Sequence, residues 1–182
     1  MTSEITADLT METLLDRYPG ARRALFSAFH IGGCQSCAYQ PEQTLAEVCE
    51  QNEIKIEEAL ACLTASRDHD QRMLILPEDL QSLMQSDEPY LLLDTRTREE
   101  FETITLTGAK LMTQELQSAL FADKENTTRK IILIDHQGRS VLDHCAWFRG
   151  HGLKETYGVN GGIDRFSREV DSTIPRYRLE ID

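Results

Sequence analysis

The apolar positions of this chain follow two different periods, and the change falls near residue 70. Up to about Ser66 they recur every three to four residues, the spacing of helices with one buried face. DLTMETLLDRYPG begins with Thr10 placed as an N-cap and is stopped by Pro19–Gly20. ARRALFSAFH sets Leu25, Phe26 and Phe29 on one side before Gly32–Gly33. QTLAEVCEQN opens on a capping box, Thr44 with Glu47, and IKIEEALACL spaces Ile56, Ala59, Leu60 and Leu63 as one stripe. Helices this short do not persist alone, so residues 1–66 are expected to pack as a small all-α domain. The polar run TASRDHDQR follows, and residues 67–72 read as a linker, with the frayed end of the last helix as the alternative.

From Met73 onward, strand-like and helix-like segments alternate. RMLIL precedes PEDLQSLMQ, where Pro77 suits a first helical turn. YLLLDTR reads as a buried strand, and TREEFE opens a helix on the capping box Thr97–Glu100. GAKLM, TQELQSALFAD, KIILID, SVLDHCAWFRGHG and ETYGVNGGIDRFSREV continue as strand, helix, strand, helix, and strand with helix. This alternation predicts an α/β domain over 73–182: a parallel sheet flanked by helices, with ligands bound at the carboxyl ends of its strands.

Charge narrows the partners. Across 182 residues the formal net charge is -12. That balance opposes sequence-independent nucleic-acid binding and docking on anionic membrane through a basic patch. No apolar stretch has bilayer-spanning length, and MTSEITADLT lacks the features of a secretory leader, so a cytoplasmic location is expected. The five cysteines are then expected to be mostly reduced.

Two stretches carry candidate chemistry. In GGCQSC, Cys34 and Cys37 are spaced so that their sulfurs meet in one turn, as a disulfide or as two metal ligands. Nearby backbone N–H groups or a helix N-terminus would lower one thiol pKa. Two ligands fall short of the four a structural zinc takes. Zinc or an iron–sulfur cluster would therefore draw on Cys49, Cys62, His30 or a second copy of the chain in a symmetric dimer. Cys49 and Cys62 sit among apolar helical neighbours and read as structural, as does Cys145. The second stretch, IILIDHQGRS, is a strand entering a loop, Asp135, His136, Gln137, Gly138, Arg139 and Ser140, before a helix. Such a corner aims N–H groups at an anion, yet its first position already holds a carboxylate. Asp135 is expected to accept the loop's own N–H groups. The ligand-type residues crowded from Asp135 to His151, including Asp143 and His144, lack the spacing of a preformed metal site and read as exposed polar residues around a loop.

The ordered motifs LLLDTRTREEFE, LTGAKLM, IILIDHQGRS and GLKETYGVNGGIDRF resemble a single-domain rhodanese-like protein over Met73 to Arg178. Active members of that family begin the loop with a cysteine that carries sulfur as a persulfide. Aligning Gly138 with the loop glycine puts Asp135 in its place, and a carboxylate forms no persulfide. Asp94 and Arg96 match the family's Asp–x–Arg signature. The family's loop arginine falls at Ser140, with Arg139 one place early, and Thr105 and Phe166 stand where the family has His and Trp. The resemblance implies a domain silent in sulfur transfer through this loop and kept for folding, binding or docking. Residues 5–63 resemble the small helical redox-disulfide domain associated with hybrid-cluster proteins, through the Thr–x–x–x–Leu–Leu–x–x–Tyr–Pro spacing of TMETLLDRYP, the Gly–Cys–x–x–Cys turn and Thr–Leu–x–Glu.

Together these imply an accessory protein of redox or sulfur relay. Cys34 and Cys37 would be the reactive pair, acting on a protein partner or a small sulfur-bearing species with no resident cofactor. The alternatives are a non-enzymatic interaction protein, a metal or iron–sulfur carrier, and a thiosulfate sulfurtransferase.

Overall fold

In a computed structural model, residues 4–32 and 39–177 are described, and they fall in two compact units, Met1–Arg72 and Met73–Asp182. Cys34 and Cys37 lie outside the described residues.

The first unit is helical: α1 (Met11–Arg17), α2 (Ala21–Phe29), α3 (Leu45–Gln51) and α4 (Ile56–Gln71). Short polar side chains start two of them. Thr10 accepts from the Thr13 N–H, and Thr44 with Glu47 forms a reciprocal capping box. Met11, Leu14, Leu25, Leu45, Val48, Cys49, Ala59 and Leu63 make the core. Two expectations are corrected here. Phe26 does not join Leu25 inside but is 49% exposed, because α2 buries its Ala21–Ala24–Leu25 face instead. The run read as a linker, 67–72, is the end of α4. It stays helical because Asp70 is buried and paired with Arg23 of α2 at 2.5 Å, which ties the last turn into the unit. Cys49 is buried and Cys62 partly so, and burial pushes both thiols up, away from the thiolate.

The second unit runs β1 (Leu74–Ile75), α5 (Pro77–Met84), β2 (Tyr90–Asp94), α6 (Arg98–Thr103), β3 (Lys110–Leu111), α7 (Gln114–Ala122), a 3-10 turn (Lys124–Thr127), β4 (Lys130–Ile134), α8 (Val141–Gly150), β5 (Thr156–Val159) and α9 (Gly162–Glu169). Its five-stranded sheet has the order β1-β5-β4-β2-β3, and all pairings are parallel. Strand alternation divides the core. Leu91, Leu93, Ile131 and Leu133 meet Leu120 of α7 and Leu142, Cys145 and Phe148 of α8 on one face. Leu92, Ile132 and Ile134 meet Leu80 and Leu83 of α5 and Ile163 and Phe166 of α9 on the other. No helix among the described residues is long and apolar enough to cross a membrane.

This topology brings the ends of β2, β4 and β5 to one edge of the sheet. Asp94, Asp135 and Asn160 each stand at or just past a carboxyl end there. Ligands of parallel α/β sheets bind at that edge.

Candidate functional site

The loop leaving β4 is organised around its own carboxylate. Asp135 is 5% exposed, and its Oδ1 accepts from the Gly138 N–H. Its Oδ2 accepts from the Ser140 N–H at 2.9 Å, the Ser140 hydroxyl at 3.0 Å and the Val141 N–H at 3.0 Å. Ser140 is the N-cap residue of α8 but makes no side-chain cap. Asp135 therefore supplies the anion that the first N–H groups of α8 require. The cradle a bound anion would fill is filled from within.

Two glycines lock the loop against α9. Gly138 has φ +78°, and a Cβ there would stand 2.5 Å from the Gly161 nitrogen. Gly162 has φ +60°, and a Cβ there would stand 2.5 Å from the Asp135 carbonyl oxygen and 2.6 Å from His136 backbone. That close approach lets the Ile163 and Asp164 N–H groups donate to the carbonyls of Asp135 and His136 at 2.9 and 3.0 Å. The loop backbone thus sits on the N-terminus of α9.

Beside it, Asp94 and Arg96 form a buried fork. Arg96 Nε and Nη2 reach the Asp94 carboxylate at 2.9 and 2.7 Å, and both side chains are almost wholly enclosed. Nη2 also donates to the Ile104 carbonyl, and Thr105 donates to Asp94 at 3.4 Å. Burial alone would lower the Arg96 pKa, but hydrogen bonds to Asp94 and Tyr177 and the Asp94 charge outweigh it and raise it. Arg96 therefore stays charged, and its fork on Asp94 holds the β2–α6 turn, with α6 begun by the Thr97–Glu100 capping box.

Tyr177 joins this site from outside every motif read above. Its phenol oxygen accepts from Arg96 Nη1 at 2.7 Å and donates to Glu100 Oε1 at 2.6 Å. Its ring stacks on His136 at 4.2 Å and 11°, and its carbonyl lies 3.1 Å from His136 Nε2. Burial first, and then the bond to Glu100, push the Tyr177 hydroxyl up to about 12. Just upstream, Arg176 pairs with Asp164 of α9 at 2.8 Å and holds that carboxyl below its usual range. No periodicity or motif marks these tail residues. The one sequence signal there is a run of three cationic or aromatic residues, Arg176, Tyr177 and Arg178, in an acidic chain.

The structure thus joins Asp94, Arg96, Asp135, His136, Gly138 and Ser140 at one sheet edge, with Gln137 and Arg139 exposed. The crowd from Asp135 to His151 does not come together as a set. Asp135 and His136 are buried rather than exposed, because the carboxylate is drawn inward by the loop N–H groups and the imidazole lies under Tyr177. Asp143 and His151 face solvent, and Cys145 is buried against the sheet. Among the described residues no three His, Cys, Asp or Glu side chains are grouped to hold a metal ion.

Comparison with known proteins bears on the second unit. The family model described as Rhodanese-like domain matches residues 76–169. A rhodanese-like/PpiC domain-containing protein 12, chloroplastic, of Arabidopsis thaliana is 31% identical over 107 residues, covering 55% of this chain and 36% of that protein. The adenylyltransferase and sulfurtransferase UBA4 of Candida albicans is 24% identical over 115 residues, 59% of this chain and 26% of that one. The chain therefore spans little more than a third, or less, of these relatives. Among solved structures, reduced Bacillus anthracis CoADR-RHD superposes with a TM-score of 0.51 at 13% identity, covering 76% of this chain and 23% of that one. That likeness speaks to fold alone.

Proposed function

Because the chain belongs to the rhodanese-like domain family through its second unit, we propose that this unit is a docking module of a sulfur- or redox-relay protein. Its own loop carries out no sulfur transfer. One observation supports this reading above others: the loop's converging donors, Gly138, Ser140 and Val141, are already satisfied by Asp135. A carboxylate at that point offers no sulfur nucleophile, and it repels an anionic donor such as thiosulfate. The sulfurtransferase named among the relatives supports a sulfur setting.

In this reading the reactive groups are Cys34 and Cys37. One thiolate attacks an external disulfide or polysulfide and displaces a thiolate from it. The second thiol, deprotonated, attacks the mixed disulfide and releases the other half reduced. The protein pair ends as a disulfide, and two electrons have passed to the acceptor. The partners are a protein or a small sulfur-bearing species.

Two measurements test the two parts. The wild-type chain, given thiosulfate and cyanide, should form thiocyanate at background rate, while Asp135→Cys should raise that rate because the N–H cradle remains. Wild-type turnover above background overturns the silent loop. Alkylation mass spectrometry after polysulfide treatment should show Cys34 and Cys37 protected relative to the untreated chain. Equal labelling overturns the redox pair.

A further inference from the structure

We propose that residues 171–177 form a releasable strap over the 135–140 loop, closing His136 and withholding the loop surface from a docking partner until displaced. The purpose of the strap rests on the docking reading above, but its existence does not.

Three anchors hold the segment. Ile174 packs against the α5–α9 core cluster, and its carbonyl accepts from the Ser167 hydroxyl at 2.6 Å. Arg176 pairs with Asp164 at 2.8 and 3.1 Å. Tyr177 stacks on His136, and with a proton on Nε2 the imidazole donates to the Tyr177 carbonyl. Between these anchors the segment is exposed or half-exposed. The Tyr177 hydroxyl adds bonds to Arg96 and Glu100 at 2.7 and 2.6 Å, so the strap is held at one half-buried apolar side chain, one surface ion pair and one tyrosine, far fewer contacts than a core element makes.

What lies beneath does not depend on the strap. Without Tyr177, Arg96 keeps its fork on Asp94 and its bond to Ile104. Glu100 keeps the Thr97 N–H and hydroxyl. The loop keeps Asp135 at its centre and α9 beneath it. Release of the whole segment uncovers the imidazole face of His136, Arg96 Nη1, one Glu100 oxygen, the Asp164 carboxylate, and the Ser167 hydroxyl with the core surface under Ile174. The closed and open forms therefore share one intact sheet edge, as a two-state device requires.

Diethyl pyrocarbonate labelling of the full chain, read peptide by peptide, tests this. The chain has five histidines, and His136, 7% exposed, is closed while His30, His69 and His151 face solvent. In the wild type, His136 should label at least about tenfold more slowly than those three. Tyr177→Ala should raise its rate at least about fivefold, and Arg176→Ala by a smaller factor. A His136 that labels as fast as the exposed histidines in the wild type overturns the strap. So does one that stays slow in folded Tyr177→Ala. If Tyr177→Ala fails to fold, Arg176→Ala decides, and an unchanged His136 rate there also overturns it. None of these readings depends on thiocyanate formation or on Cys34 and Cys37, so failure of the strap and failure of the relay reading are told apart.

Discussion

Replacing Asp135 with alanine removes an acceptor on which three N–H groups and a hydroxyl converge. The donors differ in what they can do next. Ser140 is exposed and turns to water, and Gly138 is half-buried. Val141 is 0% exposed, so its N–H finds no water. One enclosed N–H left unpaired costs about 1–3 kcal/mol, and losing a charged acceptor from its neighbours costs about 1.5–3 more. The expected destabilisation is about 3–5 kcal/mol, below the simple total because the donors share one centre. Asparagine keeps a carbonyl oxygen for the Ser140–Val141 group and gives up only the Gly138 contact, so Asp135→Asn should cost about 1–2 kcal/mol. Trp147 is the only tryptophan and packs on Phe121 at 4.7 Å in the second unit, so its emission during urea unfolding reports that unit alone. At about 4 °C per kcal/mol, alanine should lower the melting temperature of the unit by roughly 12–20 °C. An alanine cost below about 1 kcal/mol, or an asparagine variant as unstable as the alanine one, would refute the role given to this carboxylate.

Gly162→Ala places a methyl group 2.5 Å from a backbone oxygen at φ +60°, and should cost at least about 3 kcal/mol in the same urea assay. It should also speed hydrogen exchange of the 135–140 amides. Arg96→Lys keeps the charge but not the planar fork on buried Asp94, and should cost about 2–4 kcal/mol by thermal melting. A cost below about 1 kcal/mol would mean the fork is not needed. The Tyr177 hydroxyl is raised to about 12 in the folded state, against about 10 in an unfolded chain. The folded state therefore holds this proton more tightly. Its contribution is fully present below about pH 10 and is lost as pH rises through about 12. Wild-type stability should fall more steeply across that window than that of Tyr177→Phe, and parallel slopes in urea titrations would contradict the assignment.

Local chemistry made much of this fold legible. The Thr44–Glu47 and Thr97–Glu100 capping boxes and Pro77 declared helix starts, and each stands where expected. Apolar runs such as KIILID, with branched residues on both faces, could only be central strands of a covered sheet. Phe26 lies outside because α2 turns its Ala21–Ala24–Leu25 face inward, and helical spacing alone does not decide which of two adjoining faces packs. Polarity alone does not separate linker from helix end over residues 67–72, because what holds the helix there is a long-range ion pair, Asp70 to Arg23. In the site, Asp94, Arg96 and the 135–140 loop were readable because their partners lie within six residues, or within a known motif. Tyr177 was not, because it meets Arg96 and Glu100 from far along the chain, and no local pattern encodes such a meeting.

The strand order also sets a timetable. β1 precedes the other strands of the sheet, yet among the described residues it pairs with β5 alone, and Leu74 must find Gly158. Every other strand is synthesised before that partner exists. β4, the centre of the sheet, can join β2 early, but α9, which seats the Asp135 loop, comes later still. Parallel pairings of this range fold slowly and late. During synthesis the first unit is therefore free to finish while the second waits as unpaired strand edges, open to mispairing or to a chaperone. The carboxylate-filled loop is among the last parts of the chain to become itself.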